Sequence, residues 1–226
     1  MKHANNIYIL MPVYNEEKVV GNIIEELNKT FDKILVVNDG STDRSKEIIQ
    51  DYDVTLINHP INLGQGASIK TGIEYIIKYT DAKSIITFDA DGQHEVKDAL
   101  NFAKKIEEIN EEIIFGSRFL GYQNNIPILK RLLLRIAVFI TNYLYSMNLT
   151  DTHNGLKAIK RSCLEKLEID IEGYAFETEI IMNISKKNIS YIELPTDTKY
   201  TEYSKNKGQS IFNSIIIFEE ILMRIF

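Results

Sequence analysis

The sequence predicts an α/β fold built on a mostly parallel sheet. Two observations carry that expectation: short apolar runs alternate with longer amphipathic stretches, and each stretch is long enough for a right-handed crossover between parallel strands. The runs are residues 7–11, 33–38, 54–57, 84–88 and 113–115, and the helical stretches between them are 16–28, 43–50, 67–79 and 96–109. In the first helical stretch Val19, Val20, Ile23, Ile24 and Leu27 recur at the three- and four-residue spacing of a single helix face. After Gly116 the rhythm changes to a long apolar helix over 129–147, a short strand over 156–159, a helix near 176–186 and a strand over 190–194. No internal repeat or low-complexity linker divides the chain, so one domain over residues 1–226 is expected, its second half packing on the first.

Composition narrows the classes of function. Of the 226 residues, 44% are apolar and 26% charged, the ordinary usage of a globular enzyme with a full core. A formal charge of -6 argues against a general nucleic-acid binder, while local basic clusters still suit small or membrane-bound anions. The single cysteine, Cys163, has no cysteine or nearby histidine partner, which leaves packing as its role. Residues 7–11 are too short for a signal peptide and run into Pro12 and a charged segment, so a cytoplasmic location is expected.

The residues with chemistry gather at strand ends. Asp89-Ala90-Asp91-Gly92-Gln93 follows directly on the apolar run 84–88, which places two carboxylates and an amide oxygen where parallel α/β sheets bind ligands. Carboxylates so close repel unless a cation sits between them, and Mg²⁺ or Mn²⁺ shared with a substrate diphosphate is the usual occupant. The same spacing also occurs in turns, where each aspartate caps local backbone. At the second strand end, in Asn38-Asp39-Gly40-Ser41-Thr42-Asp43, a plain strand-to-helix turn accounts for Thr42 or Asp43 as caps. That turn gives Asp39 no structural task, so a base or ribose is its expected partner. At the third, the glycines of Asn62-Leu63-Gly64-Gln65-Gly66-Ala67 either free backbone N–H groups for an anion or let the helix approach the sheet closely.

Six segments in order carry a resemblance: Pro12-Val13-Tyr14-Asn15-Glu16, residues 37–43, Asn62-Leu63-Gly64, Asp89-Ala90-Asp91-Gly92-Gln93-His94, Gly116-Ser117-Arg118, and residues 151–157. Together they resemble the family 2 glycosyltransferases of the GT-A fold, and within them the dolichyl- or polyprenyl-phosphate hexosyltransferases. The resemblance implies transfer of a hexose from a UDP- or GDP-sugar to a lipid phosphate on the cytoplasmic membrane face. Residues 1 to about 116 would then form the nucleotide-sugar half and about 117 to 226 the acceptor half. It implies that Pro12, Tyr14, Glu16, Asp39 and Gly64 contact the nucleotide sugar. Asp89, Asp91 and Gln93 would hold Mg²⁺ or Mn²⁺ with the donor diphosphate, and Arg118 would face the acceptor phosphate. The chain departs from its relatives at Lys205, where many have an arginine three residues before Gly-x-Ser, and at His153-Asn154, where the lipid-phosphate branch tends to have threonine-serine. The loop 200–209 around Lys205 reads as a lid over the donor.

The chemistry of such a transfer explains the residue types. Negative charge builds on the leaving diphosphate, which a metal offsets as a Lewis acid, and attack from the opposite face inverts the sugar. A lipid phosphate needs only cations to place it, and Arg118, Arg131, Arg135 and Lys205 are the candidates. A hydroxyl acceptor on a glycan would need a base, for which Asp151, Glu177 and Glu179 are open. Asp91, Arg118 and Asp151 are therefore the catalytic candidates. Two other classes fit less well: a sugar-nucleotide pyrophosphorylase, whose N-terminal Gly-x-Gly-x-Arg loop is missing, and a nucleotide-binding regulator, which has no need of both Asp89 and Asp91. Neither 127–147 nor 211–226 offers 20 nearly uncharged residues, so both are expected to lie peripherally in the membrane interface rather than to span it. Packing on the sheet, or a homodimer contact, is the alternative use of these helices.

Overall fold

The computed structural model describes residues 6–121, 126, 128–170 and 176–198. Its strands are β1 (Ile7–Val13), β2 (Ile34–Asn38), β3 (Thr55–Asn58), β4 (Ser84–Thr87), β5 (Ile113–Ser117), β6 (Lys157–Lys160) and β7 (Tyr191–Pro195). Its helices are α1 (Val20–Asn28), α2 (Ser45–Gln50), α3 (Gln65–Tyr79), α4 (Val96–Glu108), α5 (Ile128–Tyr145), α6 (Arg161–Leu164) and α7 (Phe176–Lys186). All seven strands form one sheet in the order β3-β2-β1-β4-β6-β5-β7. The sheet is parallel except at β6, which runs antiparallel to both β4 and β5.

The strand side chains alternate between two cores, as a period of two requires. Ile7, Ile9, Met11 and Val13 of β1 face one core, which α1 and α4 close with Ile24, Leu27, Phe102 and Ile106. Leu10 faces the other, closed by Ile69, Ile73 and Ile76 of α3 and Ile180, Ile181 and Ile184 of α7. A sheet covered on both faces explains why the strands read as continuous apolar runs. Cys163 of α6 lies fully inside the second core, and burial pushes its thiol up to about 12, as a packing cysteine requires.

Two details differ from the sequence reading. The first helix starts at Val20 rather than Glu16, because the preceding loop is tied across to the second one. There the backbone N–H groups of Glu16 and Glu17 donate to Ser45 Oγ (2.7 Å) and Asp43 Oδ2 (3.1 Å). The short helix α6 was not anticipated; it is a single turn that follows directly on β6. Among the described residues no helix is long and apolar enough to cross a membrane. Lys205, the expected lid 200–209 and the apolar stretch 211–226 lie outside the described residues.

Candidate active site

The nucleotide candidates cluster around the ends of β1 and β2. Pro12 is half-buried in β1 opposite Val37, Tyr14 is exposed just beyond the strand, and Glu16 is buried. Asp39 is 3% exposed and has a structural task, against the sequence reading that left it none. Its Oδ1 accepts from His59 Nδ1 (2.8 Å) and the Leu63 N–H (2.9 Å), and its Oδ2 accepts from the Gly64 N–H (2.8 Å). The N–H groups offered to an anion at this loop are therefore spent on Asp39, at least at Leu63 and Gly64. Gly64 holds φ 97°, a conformation that a side chain resists, and so turns the chain into α3.

The aspartate pair lies just past β4. Asp89 Oδ1 accepts from Gln65 Nε2 (2.9 Å), and Asp89 Oδ2 lies 3.3 Å from His94 Nε2. Burial raises the Asp89 carboxyl, but the hydrogen bond and charge of His94, then Lys157 and Gln65, outweigh it, and the net shift is downward. Asp91 accepts from the backbone N–H (2.9 Å) and Nε2 (2.7 Å) of Gln93. The carboxylate of Asp89 has room only because residue 155 is glycine: a Cβ there would lie 1.9 Å from Asp89 Oδ2. Among the described residues no group of three or more His, Cys, Asp or Glu is arranged to hold an ion. Two hard carboxylates beside an amide suit Mg²⁺ or Mn²⁺ that completes its shell with phosphate oxygens and water, as Mg²⁺ in particular prefers.

A second charged centre adjoins the first. Arg118, at the end of β5, and Asp151 are both buried and meet through Nε to Oδ2 (2.7 Å) and Nη2 to Oδ1 (2.8 Å). Nη2 also donates to the His153 carbonyl (2.6 Å). Burial alone would raise the Asp151 carboxyl, but the charge and hydrogen bonds of Arg118 hold it at about 2. A carboxylate so committed is a poor general base. His153 is driven down to about 4 by burial, with Arg118 and Lys157 adding to the effect and Asp151 opposing it. Its Nδ1 lies 2.9 Å from Thr152 Oγ1, and its Nε2 is buried without a partner.

Lys157 and Glu177 form a buried ion pair that the sequence did not reveal, with Lys157 Nζ also donating to the Asn154 carbonyl (2.5 Å). Burial raises Glu177, Lys157 opposes it, and the net shift is upward. Arg131 and Arg135 are exposed on α5, and the Arg135 guanidinium lies 5.8 Å from the centroid of Phe119, the neighbour of Arg118. The fold thus brings Arg135 toward Arg118, with Arg131 one turn away. Gln65, His94, Gly155 and Lys157 all sit inside the quoted segments, yet only the folded chain shows what they touch.

The profile described as "Glycosyl transferase family 2" matches residues 8–168. A UDP-N-acetylglucosamine--dolichyl-phosphate N-acetylglucosaminyltransferase from Methanococcus voltae is 31% identical over 239 residues, covering 96% of this chain and 95% of that protein. A dolichyl-phosphate beta-glucosyltransferase, ALG5A, from Trichomonas vaginalis is 26% identical over 88% of this chain and 67% of that protein. Among solved structures, the glucosyl-3-phosphoglycerate synthase of Mycobacterium tuberculosis, crystallised with Mn²⁺, UDP and glucosyl-3-phosphoglycerate, superposes with a TM-score of 0.71. At 14% identity, over 96% of this chain and 79% of that one, it shows the shared GT-A fold. With its ordered strand-end segments, its sheet and a family profile over most of its length, the chain belongs to glycosyl transferase family 2.

Proposed function

We propose that the protein is a metal-dependent, inverting hexosyltransferase that uses a UDP- or GDP-sugar and a polyprenyl or dolichyl phosphate at the cytoplasmic membrane face. One observation carries this reading: the short segment 151–157 touches both charged centres. Asp151 grips Arg118, and Gly155 makes room for Asp89. A donor-side carboxylate and an acceptor-side arginine are thereby held at fixed separation, which is what a direct transfer between two bound substrates requires.

Pro12, Tyr14, Glu16, Asp39 and Gly64 would contact the nucleotide. Asp89, Asp91 and Gln93 would hold Mg²⁺ or Mn²⁺, which when bound offsets charge on the leaving diphosphate. Gln65 and His94 fix Asp89, and Gln93 fixes Asp91, so the oxygens are oriented before a ligand arrives. Arg118, Arg131 and Arg135 would place the acceptor phosphate, with Lys205 as a further donor-side cation. A phosphate acceptor needs no base, and the commitment of Asp151 to Arg118 favours it over a hydroxyl. The second reading, a glycan hydroxyl acceptor, keeps one supporting observation: the carboxyl of Glu177 is shifted upward in the site.

Peripheral membrane attachment is supported by α5, whose Ile128, Leu132, Ile136, Phe139 and Tyr143 are all exposed along a face that also carries Arg131 and Arg135. Apolar side chains at the acyl boundary with arginines at anionic headgroups would bring the site to a lipid acceptor. A homodimer contact is the other use of that face. The test is to incubate the protein with UDP- and GDP-sugars, with and without polyprenyl phosphate, and measure nucleoside diphosphate release. Release that depends on both the lipid phosphate and a divalent ion is expected. Release indifferent to the lipid, with sugar found on a soluble glycan, overturns the assignment.

A further inference from the structure

His59 precedes the quoted Asn62-Leu63-Gly64 segment and has no part in the transfer just described. It is nonetheless placed with care. Its side chain is 8% exposed, its backbone N–H donates to the Asn38 carbonyl (2.9 Å), and its two ring nitrogens face Asp39 Oδ1 (2.8 Å) and Thr71 Oγ1 (3.0 Å). A carboxylate only accepts, so Nδ1 carries the proton, and in the neutral ring Nε2 accepts from the Thr71 hydroxyl. The relay Thr71–His59–Asp39 thus fixes both the tautomer and the orientation of the carboxylate.

Counting lone pairs shows what remains. A carboxylate has about four acceptor positions. Oδ1 is used twice, by His59 and the Leu63 N–H, and Oδ2 once, by the Gly64 N–H. One acceptor position remains, on Oδ2. Uracil and guanine present a ring N–H at their pairing edge, whereas cytosine and adenine present a ring lone pair there. A lone pair set against the open position of Oδ2 is repelled, and a ring N–H is bound.

We propose that His59 is a positioning residue that holds Asp39 as a single-site acceptor for a nucleobase ring N–H, so that the donor pocket takes uridine or guanosine diphosphates over cytidine or adenosine diphosphates. This rests on the nucleotide-sugar reading above and adds to it the residue that sets base choice.

The experiment is calorimetric binding of UDP, GDP, CDP and ADP, with Mn²⁺ present, to the wild-type chain, His59→Leu, His59→Asn and Thr71→Val. Wild type should bind UDP or GDP at least about tenfold more tightly than CDP or ADP, the scale of one buried hydrogen bond gained against one group left unpaired. His59→Leu should lose roughly tenfold in affinity for the preferred nucleotide together with most of the preference. His59→Asn, which keeps an N–H near the Nδ1 position, should recover part of both. Thr71→Val keeps the ring and its packing, so it gives the answer if His59→Leu fails to fold, and a smaller loss of preference is expected. Equal binding of all four bases by wild type, or unchanged preference in folded His59→Leu and in Thr71→Val, overturns the proposal. Wild-type protein that binds none of the four overturns the glycosyl-transfer reading itself, a result distinct from binding without selectivity.

Discussion

Arg118 and Asp151, 33 residues apart in the chain, are locked in a two-pronged contact at 2.7 and 2.8 Å, with the Arg118 backbone N–H adding a third bond to Asp151 Oδ2 at 3.0 Å. Removing one partner of such a buried pair leaves an uncompensated charge. Asp151→Ala should therefore destabilise the fold by about 3–5 kcal/mol in urea unfolding. Arg118→Lys should also be costly, since an ammonium cannot reproduce the paired geometry. A stability loss near zero for Asp151→Ala would show that the pair does not anchor the 151–157 segment.

Asp91, which accepts from the neighbouring Gln93, is expected to matter for turnover, and an asparagine in its place keeps its size and shape. Asp91→Asn should lower turnover by roughly 10²-fold or more, a few kcal/mol of transition-state stabilisation, with the melting temperature nearly unchanged. Excess EDTA should do the same to wild type. Full activity in either case removes the metal from the reaction.

Gly155 offers a steric test of the aspartate geometry. In Gly155→Ala the new methyl would overlap Asp89 Oδ2, so the carboxylate must leave Gln65 and His94. A loss of stability of roughly 1–3 kcal/mol is expected, together with a marked fall in Mn²⁺-dependent nucleotide binding. Binding equal to wild type would mean that Asp89 is not needed in this position.

His153 makes a prediction about pH. Its pKa is about 4 when folded and 6.5 when free, so between these values the unfolded chain holds more protons and folding stability rises with pH. Cooling the comparison to a single variable, urea unfolding of wild type and His153→Gln should diverge as pH falls from 6.5 to 4, wild type losing up to about 3 kcal/mol more. Parallel curves would show that His153 is not buried neutral.

The exposed face of α5 predicts binding to anionic vesicles. Arg131→Glu with Arg135→Glu should greatly reduce sedimentation with phosphatidylglycerol vesicles, at about 1 kcal/mol per charge lost, and added salt should act in the same direction. Phe139→Glu should weaken binding through the apolar stripe. Variants that sediment like wild type would point to the homodimer use of this face, which sedimentation velocity would then reveal.

Much of this was legible because the relevant patterns are local. The fully buried run of β2 and the one-faced periodicity of α1 announce a strand and a helix from side-chain spacing alone. The clustering of Asp39 and Asp89 at strand ends followed from the same spacing. The start of α1 was misjudged because Ser45 and Asp43, from another loop, capture the N–H groups of Glu16 and Glu17.

The sequence by itself determined the order and kind of the strands and main helices and, through short segments in a fixed order, the family, since each is read from local runs along the chain. Tertiary structure decided the rest. The antiparallel insertion of β6 between β4 and β5 brings Gly155 and Lys157 against Asp89, a placement no local periodicity encodes because strand direction is set by where the chain returns to the sheet. For the same reason only the folded chain could show that Asp151 belongs to Arg118 and Asp39 to His59. A charged or polar side chain buried away from water takes its character from its partner, and for Asp151, Asp39 and Lys157 that partner is Arg118, His59 and Glu177, 20 or more residues away.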